Sequence, residues 1–138
     1  MAKPDYYDPK KVQLVIAGLT ITGFADGDKI KAEPVTKEDM KSFVGIDGDV
    51  VFAKVNDDRY TVTFTLYEES PSNKVLGAMS KVPTSFPVMI KNTSAGKYLG
   101  GGTGSRIMDK PSITFGTDSP KREWKVLVPN YSDVALPE

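Results

Sequence analysis

The clearest pattern in the chain is an unbroken alternation from Arg59 to Tyr67, in which Tyr60, Val62, Phe64 and Leu66 point one way and Thr61, Thr63, Thr65 and Tyr67 the other. Period two marks a strand, and one apolar face against one polar face places it in an antiparallel sheet wet on one side. Val12 to Ile21, Lys29 to Glu33, Val50 to Val55, Phe86 to Lys91, Lys97 to Leu99, Arg106 to Met108, Ser112 to Phe115 and Glu123 to Val128 read as further strands from their β-branched, apolar and alternating residues. Turn residues separate them. Gly23 to Asp28 predicts the turn that folds 12–21 back onto 29–33 as a first hairpin, and Asn56-Asp57-Asp58 predicts the turn between 50–55 and 59–67.

The period changes at Ser70-Pro71-Ser72-Asn73, which carries the chemistry of a helix start: Ser70 as cap and Pro71 at the first helical position. Val75, Leu76, Met79 and Val82 then fall on one helical stripe, closed by Pro83. Lys37 to Phe43 predicts one further short helical turn, ended by Gly45. The polar, proline-bearing ends, residues 1–11 and 129–138, read as an arm and a surface tail on a single domain spanning 1–138. Many short strands with a single flanking helix predict a mainly β fold, a two-sheet antiparallel barrel or sandwich.

Composition narrows the function. At 138 residues and 39% hydrophobic content the chain supports one modest core. Cysteine and histidine are both absent, which removes disulfides, thiolate nucleophiles, soft metal ligands and the usual general base near neutral pH. An enzyme is disfavoured, and no catalytic, cofactor-binding or metal-binding residue is assigned. No run of about 18 apolar residues predicts a membrane-spanning helix, and the first residues lack the apolar stretch of a signal peptide.

Eighteen basic and eighteen acidic residues cancel, so the free chain has no overall field to hold a polyanion. The distribution is uneven: residues 1–69 hold 13 acids and 9 bases, net −4, and residues 70–138 hold 5 acids and 9 bases, net +4. Copies would attract head to tail if the fold kept those halves on opposite surfaces, and would not if it interleaved them.

Several local patterns suggest sites and have simpler readings. Gly100-Gly101-Gly102-Thr103-Gly104-Ser105 could cradle a phosphate, but no Gly-Lys-Ser/Thr ending and no helix start follow it, so a flexible hairpin loop is expected. Asp26-Gly27-Asp28 and Asp47-Gly48-Asp49 resemble calcium-loop fragments without the remaining ligands, and read as turns. Glu68 and Glu69 are adjacent carboxylates that point apart on a strand and cannot converge on one bond. Tyr60, Phe64 and Trp124 could stack bases as in an oligonucleotide-binding barrel, yet Asp57, Asp58, Glu68 and Glu69 flank the strand that bears the first two, so core packing is expected.

The apolar segment Val12 to Ile21, the Gly-Ile-Asp-Gly-Asp stretch from Gly45 to Asp49, and the threonine-alternating strand that runs through Tyr67-Glu68-Glu69-Ser70-Pro71-Ser72-Asn73-Lys74-Val75-Leu76 together resemble the tail tube proteins of contractile-tailed bacteriophages. These are similar in turn to the tube protein of type VI secretion. The resemblance spans most of the chain, its sharpest part being about twenty residues around the Ser-Pro-Ser-Asn helix start. It implies a two-sheet barrel with one flanking helix, whose copies form hexameric rings stacked into the inner tube of a virion tail. It also implies a contracting sheath outside, baseplate, tail-terminator and tape measure proteins as further partners, assembly in the host cytoplasm, and DNA that crosses the lumen without specific binding. On this reading Thr61, Thr63 and Thr65 face a neutral to acidic lumen. Glu33, Lys37, Glu38, Asp39 and Lys41, within the charged stretch from Gly23 to Gly48, belong to the loop that stacks one ring on the next. Gly100 to Gly104 and Met108-Asp109-Lys110-Pro111 lie outside the resemblance and could form an outer decoration that touches the sheath. Two alternatives stand beside this one: a type VI-like secretion tube, which the same resemblance implies, and a monomeric oligonucleotide- or carbohydrate-binding barrel.

Overall fold

The computed structural model describes residues 8–25, 29–82, 84–94, 97–109, 111, 113–115 and 120–135. Among the described residues a 3-10 turn, Pro9–Lys11, leads into eleven strands and one helix: β1 Val12–Ile16, β2 Leu19–Thr20, β3 Lys31–Pro34, β4 Met40–Val44, β5 Val50–Lys54, β6 Tyr60–Tyr67, α1 Ser72–Lys81, β7 Phe86–Asn92, β8 Tyr98–Ile107, β9 Ile113–Thr114, β10 Lys121–Val128 and β11 Ser132–Ala135. The main sheet runs β2-β1-β7-β8-β10-β6-β3, with β11 added on β8 and β9 on β10, and every pairing is antiparallel. The start of β8 belongs with β7 and β11; its end, Arg106 and Ile107, pairs with β10. One strand thus joins two layers.

The expected alternation is what builds the core. Val62, Phe64 and Leu66 of β6 are buried, with Trp124, Val126 and Val128 of β10 in register beside them. They meet Leu14 and Ile16 of β1, Phe86, Val88 and Ile90 of β7, and Leu76 of α1 in one cluster. Phe64 and Trp124 are therefore core residues, and Tyr60, half-buried, stacks on Tyr131 with ring centroids 4.3 Å apart. No helix among the described residues is long and apolar enough to cross a membrane.

The structure departs from the expectations at identifiable places. Val12 to Ile21 is a tight hairpin of β1 and β2, turned at Ala17 and Gly18, both at positive φ as a two-residue turn of this hand requires. The expected pairing of 12–21 with 29–33 does not form: β1 pairs with β7, and β3 with β6. Asp26-Gly27-Asp28 lies outside the described residues. The segment 37–43 makes no helical turn, because Met40–Val44 is stitched to Val50–Lys54 as a two-stranded hairpin. Of the expected tail, Ser132–Ala135 forms β11 on β8, and residues 136–138 lie outside the described part.

The glycine run is no loop. It is the middle of β8, a single strand where two short ones were expected. A Cβ on Gly101 would sit 2.0 Å from the Val88 carbonyl oxygen, and one on Gly102 would sit 2.7 Å from the Asn130 carbonyl oxygen. Glycine is there because other groups come that close. β8 also carries one extra residue between Gly102 and Ser105 against Val88 and Phe86 of β7, a bulge that bends it from one layer to the other.

Candidate functional site

Three surfaces carry the features that the sequence singled out. The first is the outer face of β3, β6 and β10. Thr61, Thr63 and Thr65 lie on it side by side, half-buried on the face opposite the core. The register sets Lys31 and Lys125 on either side of Thr63, Glu33 beside Thr61, and Glu123 beside Thr65. Thr63 and Thr65 with Lys31, Glu33, Lys121, Glu123 and Lys125 line an open concavity of about 550 Å³. Charges alternate across it: Lys31 Nζ is 3.6 Å from Glu33, and Lys125 Nζ is 3.8 Å from Glu123. Lysines adjacent in space hold the Glu33 carboxyl below the usual carboxylate range, the hydrogen bond from Lys37 first and the charge of Lys31 second.

The second surface is the β4–β5 hairpin. Each of its ten strand residues is exposed, including Phe43 at 57%, Val44 at 72% and Phe52 at 68%, with Met40, Val50 and Val51 among them. Its tip is a five-residue loop in which the Gly48 amide donates to the Gly45 carbonyl at 3.0 Å and the Gly45 amide to the Asp49 carbonyl at 2.8 Å, with Gly48 at φ 89°. Asp47-Gly48-Asp49 is that turn. Among the described residues no group of acids, histidines and cysteines could hold a metal ion.

A clamp fixes the root of this arm. Asp57 accepts from Arg59 Nε at 2.8 Å and Nη2 at 2.9 Å, and from the Thr36 hydroxyl at 2.5 Å. The two connections that enter and leave the hairpin are thereby tied together, with Val35 N–H donating to the Arg59 carbonyl beneath them. The Arg59 guanidinium, then Thr36, hold the Asp57 carboxyl far below the ordinary aspartate range. Of the five residues expected in the stacking loop, Lys41 is on β4, Asp39 bonds Val55 at the root, and Lys37 reaches back 3.1 Å to Glu33 on β3. Glu38 lies exposed between Lys37 and Asp39.

The third surface is α1. Its start is a polar junction in which Ser70 acts differently from a simple cap: Pro71 is the cap position, without a side-chain bond, while Ser70 Oγ donates to the Thr22 carbonyl at 2.5 Å and accepts from Ser72 N–H at 3.3 Å. Asn73 donates from Nδ2 to the Tyr67 carbonyl at 2.8 Å and accepts from the Trp124 indole at 2.9 Å. Ser72, Asn73 and Leu76 face inward, so the expected stripe splits: Leu76 is core, whereas Val75 and Val82 are exposed and Met79 is half-buried. Polar anchoring at the helix start turned that stripe outward. Glu68 and Glu69 sit in the turn before it, and Glu68 is bound by Arg122 through two hydrogen bonds of 2.6 and 2.7 Å.

Compared with solved structures, the chain superposes on the cap that terminates the tube of the anti-feeding prophage, at a TM-score of 0.73 over 99% of this chain and 95% of that one, with 7% sequence identity. The fold is that of contractile-injection tube and cap proteins. The sheath-tube complex of an extracellular contractile injection system, in its extended state, matches at 0.67 over 95% and 93%, with 9% identity. No protein-family model and no curated protein matches the sequence. The likeness lies in the fold, and sequence similarity does not carry it.

Proposed function

We propose that this chain is a non-catalytic structural subunit of a contractile tail-type particle, and that its copies form hexameric rings stacked into the inner tube. The observation that carries the proposal is the β4–β5 hairpin, an apolar ribbon built on a tube-type body and left bare by its own chain. An isolated two-stranded hairpin is marginal in water, and this one exposes Met40, Phe43, Val44, Ile46, Val50, Val51 and Phe52. Neighbouring copies supply its cover. Lys41 and the charges at its root, Glu33, Lys37, Glu38 and Asp39, then lie at the contact between rings.

The Thr61, Thr63 and Thr65 face becomes the lumen wall. It is mixed in charge where a neutral to acidic wall was expected, and Glu33 and Glu123 interrupt its lysines, so it offers phosphate no continuous basic track. DNA would pass without being held. The sheath would enclose the outside, and baseplate, terminator and tape measure proteins would meet the ends and the bore. A second reading, a cap that ends such a tube, is favoured by the 99% coverage of the match to a terminating cap.

Negative-stain electron microscopy of the purified protein, with sedimentation over a range of concentrations, tests this. Stacked rings or tubes are expected; single rings that never stack select the cap. A strict monomer at high concentration that binds single-stranded DNA in a salt-dependent way would overturn both.

A further inference from the structure

Two apolar surfaces among the described residues stay uncovered, and the charges that frame them are opposite in sign. One is the hairpin tip: Ile46 is fully exposed between Val44 and Val50, beside Asp47 and Asp49, and no basic residue occurs from Ser42 to Ala53. The other is the outward side of α1 and the residues just after it, where Val75, Ala78, half-buried Met79, Val82 and Thr84 line a shallow, open and almost wholly apolar groove of about 500 Å³. Lys74 borders it and Lys81 ends the helix beside Val82. From Ser70 to Met108 the chain has five basic residues and no acidic one.

We infer that the hairpin tip of one copy seats in the α1 groove of a second copy, with Ile46 in the groove and Asp47 and Asp49 facing Lys74 and Lys81. This names the contact within the assembly proposed above, and rests on that reading. A second copy is favoured over another partner because both halves of the contact occur in one chain with matched apolarity and opposed charge. Tip and groove are different patches, so the contact is heterologous: each docked pair still offers one free tip and one free groove, and association propagates.

The overall charge asymmetry of the sequence bears on this. The main sheet interleaves the two halves of the chain, β1 with β7 and β6 with β10. The hairpin tip, residues 42–53, and α1 escape that mixing. Each keeps the sign of its own half and presents it at the surface.

The chain has no cysteine, so single-cysteine variants report contacts without background. Ile46→Cys mixed with Ala78→Cys is expected to form an intermolecular disulfide at least ten times faster than Ile46→Cys mixed with Thr93→Cys, a control at an exposed position. Equal rates overturn the inference. As a second arm, Lys74→Glu with Lys81→Glu should slow assembly several-fold, and adding Asp47→Lys with Asp49→Lys to the same chain should restore it; failure of the restored pair to recover, with circular dichroism unchanged, also overturns it. Rings or tubes without the preferred disulfide would refute this contact and leave the assembly reading standing. A protein that is monomeric at every concentration would refute both.

Discussion

Asn73 joins three parts of the molecule through one side chain, taking the Trp124 indole proton on Oδ1 and giving its own to the Tyr67 and Glu68 carbonyls. Replacing it with alanine leaves a buried indole N–H without a partner, which costs on the order of 2 kcal/mol; urea unfolding followed by Trp124 fluorescence should show that loss. Asp57 is the titratable residue whose role is easiest to test. Its folded-state pKa lies below the ordinary value of about 3.9, so the clamp stabilises fully above that value, and the contribution is lost as pH falls through the folded one. Carbon-detected NMR of the carboxyl should show it still ionised at pH 3, and Asp57→Asn should abolish this pH dependence and speed amide exchange in β4 and β5. At this scale the sequence was partly legible. Phe64 and Trp124 could be read as core, and Thr61, Thr63 and Thr65 as one polar face, because alternation is local. Lys31 and Lys125 beside Thr63 could not be read, since only the cross-strand register brings residues 31, 63 and 125 together.

Among the elements, the β4–β5 hairpin separates folding from association most cleanly. Phe43 and Phe52 are exposed in the single chain, so Phe43→Ser with Phe52→Ser should leave the unfolding midpoint of the dilute monomer nearly unchanged, within about 0.5 kcal/mol per site, and should raise the concentration needed for assembly at least ten-fold by light scattering. An unchanged assembly threshold would show that the hairpin is not buried between copies. The sequence disguised this element: Lys37 to Phe43 mixes residues common in helices, and its strand character depends on a partner beyond the Gly45 to Asp49 turn. The same holds for β8. Its glycines look like a loop until Val88, Asn130 and Tyr131 are packed against them, and those contacts are 13 to 31 residues away in sequence. The helix was legible in extent but not in orientation, because inward-facing Ser72 and Asn73 depend on Thr22 and Trp124.

The whole molecule combines an apolar arm with weakly charged surfaces, and the two respond differently to salt. Screening shortens the reach of charges from about 10 Å at 0.1 M to about 3 Å at 1 M and leaves apolar burial in place, so added salt should slow the onset of assembly while changing final polymer mass little. Turbidity time courses check both quantities; a polymer that dissolves completely in high salt would place its cohesion in ion pairs. A further mechanical consequence follows from β8. Layers of a sandwich that touch only through side chains can slide past one another under load. Here the backbone of β8 passes from the β7 and β11 layer into the β10 layer, so a shearing pull meets covalent bonds as well as packing. A subunit tethered in this way transmits a thrust along its length as one piece, and in single-molecule pulling its two layers should yield together in a single rupture.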